Sequence, residues 1–260
     1  MDYTKKSLTD LPFGDNVLFF DTIDSTNVYL MNNHQNLADK TVVIAKNQTN
    51  GKGRLGKIWT DLPDASLSMS ILVKPFHLQY MQTVPLVCGL CVRSALGKLT
   101  GTDIGLKWSN DIVSGGKKIC GILCESRIIG TEAITVIGLG VNISQPQSFF
   151  DRFSLPYGTS MKILSPDKSF QIEEVAATIL SEFQKYFPIL QKDGFQPLQS
   201  EYITHCVNID KYVTVTTSSG TLSGIAKTID SNGNMIVESD GKTLQIASGE
   251  SSVRGVYGYY

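Results

Sequence analysis

The chain has 260 residues, enough for one large domain or for a domain with a small appendage. Hydrophobic residues make up 42% and charged residues 18%, and the formal net charge is −1, which argues against a nucleic-acid binder relying on bulk electrostatics. The opening MDYTKKSLTDLPFGDN has no apolar core of signal-peptide type, and no run approaches the roughly 20 apolar residues that cross a bilayer. The expectation is a soluble, cytoplasmic protein with no membrane partner.

VLFFD (17–21) and TVVIAK (41–46) read as short β-branched or aromatic strands. Between them, Asp24, Ser25 and Thr26 are capping candidates before a helical stretch. SLSMSILVK (66–74) alternates polar and apolar residues as a half-buried strand does. A helix is predicted from about Pro85 to Leu99, with Thr83 as cap and Gly101 at its exit. DIGLKW, DIVSGG, KKICGILCES and EAITVIGLGVNIS make the middle strand-rich, with SGGKK (114–118) as a hairpin turn. An amphipathic helix over 171–187 and a short one over 197–205 complete this part. After Cys206, closely spaced strands separated by SSG, SNGN and SDG turns predict a small SH3-like barrel.

The five cysteines are an odd, scattered set. Cys88 and Cys91 sit inside an apolar helical run, and Cys120 and Cys124 point the same way along a strand, so they read as buried, reduced thiols. No histidine cluster or catalytic triad is apparent.

NQTNGKGRLGKIWTD (47–61) interleaves Gly51, Gly53 and Gly56 with Lys52, Arg54 and Lys57, and Trp59 follows. Freed backbone N–H groups beside cations make a cradle for phosphate or carboxylate oxygens. The run matches G-x-G-x-x-G, yet no amphipathic helix follows it and no carboxylate lies about 20 residues on, which removes the dinucleotide reading. Kinase and P-loop signatures fail as well. KWSND (107–111) holds Lys107 beside a rigid aromatic, Lys118 precedes a buried strand, and Gly138 and Gly140 in a strand mark close approach of another group, with Asn142 facing it.

DSTN, QxxGxGRxGxxW, KWxND, GxKxxGIL and GxGxN, in this order, resemble the biotin protein ligases over nearly the whole chain. The resemblance implies an α+β catalytic domain over 1–206, a mixed β-sheet flanked by helices, followed by an SH3-like domain over 207–260. It also implies activation of biotin by ATP to biotinoyl-5′-AMP, then transfer to a lysine of a biotin carboxyl carrier domain of acetyl-CoA carboxylase or a related carboxylase. Mg²⁺ accompanies ATP in this reading, with no dedicated protein cage for the metal. About twenty residues precede DSTN, too few for a DNA-binding domain, so a ligase-only type is expected and DNA is not a partner. A homodimer through the central sheet is compatible with the resemblance.

By the same resemblance, Ser25, Thr26, Asn27 and Gln48 contact biotin, with Gly51, Lys52, Gly53 and Gly121 completing that side. Lys107 bridges biotin's carboxylate and the α-phosphate, and Arg54 holds the acyl-phosphate; these two are the catalytic candidates. Lys57, Asn110, Lys118 and Asn142 serve the nucleotide, Trp59 stacks on adenine, and Glu250 and Arg254 lie near the ATP phosphates. Two departures stand out. Lys52 and Lys57 replace arginines of the family loop, keeping charge but losing the bidentate fork. Ser109 replaces a proline in KWPND, which is expected to loosen that turn.

Overall fold

The computed structural model describes residues 16–217, 220–248 and 252–255. β1 (Val17–Ile23), β2 (Val42–Gln48), β3 (Ser66–His77), β4 (Gly105–Lys107), β5 (Asp111–Ser114), β6 (Lys117–Ile129) and β7 (Glu132–Asn142) form one sheet, ordered β1-β2-β3-β7-β6-β5-β4. β1 and β2 pair in parallel across the helix α1 (Thr26–Asn33), and the other pairs are antiparallel. The sheet is therefore mixed, as expected.

The alternation in SLSMSILV decides which face does what. Leu67, Met69 and Ile71 are buried in one large cluster with α2 (Val84–Thr100) and α5 (Ile172–Asp193). Ser66, Ser68 and Ser70 take the opposite face, where α1 packs through Leu30 against Val43, Leu72 and Val136. Gly138 and Gly140 on β7 share that second face. Serine and glycine leave a shallow floor there, at one end of which the candidate site lies.

The helices differ from their sequence reading at the ends. α5 continues through Pro188 to Asp193, because Phe187 and Leu190 keep the apolar period facing the core. Two short helices, α3 (Gln147–Arg152) and α4 (Met161–Leu164), carry no period of their own and were not anticipated; burial of Phe149, Phe150 and Met161 holds them. Gly115 and Gly116, both at positive φ, close the β5–β6 hairpin as the SGGKK turn requires.

α6 (Gln196–His205) leads into a second sheet of β8 (Tyr212–Thr217), β9 (Gly220–Ile229), β10 (Met235–Ser239), β11 (Lys242–Ile246) and β12 (Ser252–Gly255). Its order is β11-β10-β9-β8-β12 and every pair is antiparallel. Val213, Val215, Ala226 and Met235 from this small sheet belong to the same buried cluster as the first sheet's core. Among the described residues no helix is long and apolar enough to cross a membrane. Cys88, Cys91, Cys120 and Cys206 are buried and Cys124 is half-buried, all as free thiols, and burial raises the four buried thiols, Cys206 to about 11.

Candidate active site

The floor of the site is a closed network of short polar side chains. Gln48 Oε1 accepts from Thr26 N at 2.9 Å and from Thr26 Oγ1 at 3.2 Å, and its Nε2 donates to Ser68 Oγ at 3.2 Å. Ser68 Oγ donates in turn to Asp61 Oδ2 at 3.0 Å. Burial raises the Asp61 carboxyl, and the Ser68 hydrogen bond opposes that rise. Asn27 is buried, with Nδ2 donating to Glu125 Oε2 at 2.7 Å and Oδ1 2.6 Å from Ser70 Oγ. Gly138 is required here: a Cβ on it would lie 2.2 Å from Asn27 Oδ1.

Above the floor, the glycine–cation run folds into a small hairpin. Gly53 N donates to Lys57 O at 2.7 Å and Trp59 N to Gly51 O at 2.9 Å, with Leu55 and Gly56 at positive φ at its tip. Leu55 is 67% and Ile58 77% exposed. The Trp59 ring lies flat toward the sheet, 2.3 Å from where a Cβ on Gly140 would stand and 3.2 Å from one on Gly121. Its indole N–H is buried and meets no acceptor among the described residues. Lys118 Nζ sits 5.6 Å from the ring centroid. The close approach signalled by Gly138 and Gly140 thus comes from the chain's own Asn27 and Trp59.

Arg54 spans the molecule. Its Nη1 donates to Asn110 Oδ1 at 2.6 Å and Ser109 Oγ at 3.1 Å, and its Nη2 to Ser248 O at 2.8 Å. Burial lowers its guanidinium below the usual arginine range, while the Asp111 charge works the other way. Ser109 is therefore buried and anchored rather than loose. The Trp108–Ser109 peptide is cis.

Lys107 ends β4 and is buried, 3.8 Å from Asp111 Oδ2, while Asp111 Oδ1 pairs with Lys118 Nζ at 2.6 Å. One carboxylate between two ammonium groups leaves a net positive spot. It opens onto a cavity of about 440 Å³, bounded by Arg54, Lys57, Lys107, Asn110, Lys118 and Asn142 and by the apolar Phe149, Tyr157 and Val253. A second pocket of about 50 Å³ reaches Ser25, Thr26, Asn27, Gln48, Lys52 and Gly121. The two meet at Gly53, Arg54, Trp59, Asn110 and Lys118.

The model of the biotin/lipoate A/B protein ligase family matches residues 19–142, and that of the biotin protein ligase C-terminal domain matches residues 209–254. The chain belongs to the biotin/lipoate protein ligase family. It is a ligase, with that family's mixed sheet and small C-terminal sheet domain. The bifunctional ligase/repressor BirA of Bacillus subtilis is 28% identical over 242 residues, covering 91% of this chain and 74% of the relative. The biotin–[acetyl-CoA-carboxylase] ligase of Mycobacterium tuberculosis is 29% identical over 222 residues, covering 82% and 78%. The solved structure of the Aquifex aeolicus biotin protein ligase in complex with biotin and ATP superposes with a TM-score of 0.79 at 26% identity, covering 92% of this chain and 99% of that one.

Within this family member, most residues singled out from the sequence converge on the two pockets. Asn142 is buried, its Nδ2 donating to Thr159 O at 2.9 Å and its Oδ1 accepting from Gln145 Nε2 at 3.0 Å, so only its edge borders the larger cavity. Glu250 lies outside the described residues, and Arg254 is described only by its place in β12 opposite Thr214. Sequence reasoning missed Asp61, Ser68, Ser70 and Glu125, which orient Gln48, Thr26 and Asn27. The serine alternation in SLSMS was the available signal; the partner of each serine was not.

Proposed function

We propose that the chain is an ATP-dependent biotin protein ligase that forms biotinoyl-5′-AMP and passes biotin to a lysine of a biotin carboxyl carrier domain. The observation that carries this is the junction of the two pockets, where Arg54, Asn110 and Lys118 border both while Lys107 faces the larger. Biotin's carboxylate and ATP's α-phosphate are both anions, and bringing them together needs fixed positive charge more than a protein nucleophile. Lys107 is placed to neutralise the carboxylate oxygen as it attacks the α-phosphorus and the bond to pyrophosphate breaks. Arg54, Lys57 and Lys118 hold the phosphate oxygens. In the second step a carrier lysine amine attacks the acyl carbon, AMP leaves, and the amine loses its proton.

The smaller pocket, with Ser25, Thr26, Gln48, Lys52 and Gly53, is assigned to biotin, and the larger to the nucleotide. At about 50 Å³ the smaller one is well below the 300 Å³ or more typical of ligand pockets. Biotin therefore enters as the Trp59 ring leaves Gly140, which frees the indole for adenine. Asp111 is the one carboxylate on the larger cavity among the described residues. That fits Mg²⁺ carried with ATP: Asp111 would hold the ion, and Mg²⁺ would offset phosphate charge there. We assign the chemistry to residues 1–206 and a supporting role to 207–260, with the free thiols suiting the reducing cytoplasm.

Biotin-dependent exchange of labelled pyrophosphate into ATP, followed by transfer of labelled biotin to a purified carrier domain, tests the proposal. Activation of lipoate or octanoate in place of biotin would overturn it. The C-terminal domain match over 209–254 favours biotin.

A further inference from the structure

Lys107 stands on weak support if only its own strand is counted. β4 has three residues and lies at the edge of its sheet, paired on one side with β5 through Lys107↔Asp111. What holds its other side is the connector between the two sheets. Leu106 and Cys206 form a parallel bridge, and Val207 N donates to Leu106 O at 2.9 Å. One residue on, the strand pattern gives way to a side chain: Trp108 N donates to Asn208 Oδ1 at 2.8 Å. The Trp108 indole then reaches into the small sheet's β9–β10 turn, where Nε1 donates to Gly233 O at 3.0 Å. Asn208 is fully buried and Trp108 is 3% exposed, so neither bond competes with bulk water.

We infer that Asn208 is a positioning residue for Lys107, acting through the backbone of Trp108, with Gly233 O as the second anchor. This rests on the ligase reading. The orientation of the Asn208 amide follows from its partner, because the Trp108 N–H needs an acceptor and so faces Oδ1. Asn208 Nδ2 meets no acceptor among the described residues. The useful half of the side chain is thus the oxygen, which aspartate also supplies in either protonation state. Trp108 is the immediate neighbour of Lys107, and its two bonds fix the direction in which Lys107 leaves the sheet. Both anchors belong to the connector and the small sheet, which gives that part of the chain a role in the first chemical step through the backbone of Trp108.

The test uses the full chain with Asn208→Ala, Asn208→Asp and Trp108→Phe, read by biotin-dependent pyrophosphate exchange, biotin affinity and melting temperature. Asn208→Ala should lower kcat about tenfold to a hundredfold, the range for a misplaced catalytic group, with biotin affinity within about twofold. Asn208→Asp should recover kcat to within about threefold, and Trp108→Phe, which keeps an aromatic ring but removes the N–H donor, should lower it about tenfold. A role in stability alone predicts a lower melting temperature with unchanged kcat per folded molecule, and that result overturns the inference. So does an Asn208→Asp variant as slow as Asn208→Ala. If Asn208→Ala does not fold, Trp108→Phe decides, and full exchange in it overturns the inference. Absence of exchange in the unaltered chain would instead overturn the ligase reading, and this inference with it.

Discussion

The floor of the small pocket and the hairpin above it are built on opposite principles. On the floor, Thr26, Asn27, Gln48, Ser68 and Ser70 bond one another, and two strands and a helix hold their backbones. The hairpin from Gly51 to Trp59 has few backbone bonds, exposes Leu55 and Ile58, and leaves the Trp59 indole N–H without an acceptor among the described residues. A pre-bonded floor presents fixed polar atoms at little reorganisation cost. A glycine-rich cover is costly to order and so responds to what lies beneath it. Under the proposed function, recognition falls to the bonded floor and retention to the glycine-rich cover.

The sharpest way to break this division is at Lys107, which belongs to neither part. Lys107→Ala should lower pyrophosphate exchange by about a hundredfold to a thousandfold, as loss of a preorganised charge does, while isothermal titration still shows biotin binding. Full exchange in that variant would remove Lys107 from the chemistry.

Gly138→Ala attacks the floor. Its new Cβ would meet Asn27 Oδ1 at 2.2 Å, so the variant should lose about 1–3 kcal/mol of stability, read by denaturant unfolding, and bind biotin more weakly. Unchanged affinity would mean the floor is not the recognition element. For the cover, hydrogen exchange should show amides in 50–57 gaining protection with biotin and ATP while those of α1 and β3 stay constant. Equal protection with and without ligand would sink the idea of a responsive cover.

The smallest effect is a control in neither part. Glu182 is buried on α5 between Lys98 and Lys185, 2.6 and 2.7 Å away. Burial alone would raise its carboxyl, but its bonds to Lys185, Lys98 and Ser94 outweigh that and hold it at about 2, below its ordinary 4.5. The stabilisation is complete above pH 4.5 and is lost as pH falls toward 2. Glu182→Gln should cost about 1 kcal/mol at neutral pH, since both lysines are half-exposed, and should flatten the acid limb of a melting-temperature profile without changing kcat. An unchanged acid limb would exclude the pair as its source.

Much of the molecule was legible in local pattern. Period-two alternation located β3, glycine pairs located the β5–β6 turn, and the ordered motifs named many of the residues that line the two pockets. The misses share a cause. α3 and α4 have no amphipathic period, so burial of Phe149, Phe150 and Met161 decides them, and burial is a property of the assembled core. α5 outlasts Pro188 because core contacts at Leu190 outweigh one missing backbone bond.

By itself the sequence determined which residue types gather at the site and that something must crowd Gly138 and Gly140. Only the tertiary structure decided what crowds them, Asn27 and Trp59, and which distant groups receive Arg54 and Trp108. Arg54 reaches Asn110, 56 residues away, and Ser248, 194 residues away. Trp108 reaches Asn208 and Gly233, 100 and 125 residues away. Local propensity acts over a few residues through backbone sterics and side-chain period, whereas partners this far apart are chosen by how two sheets pack around a common core.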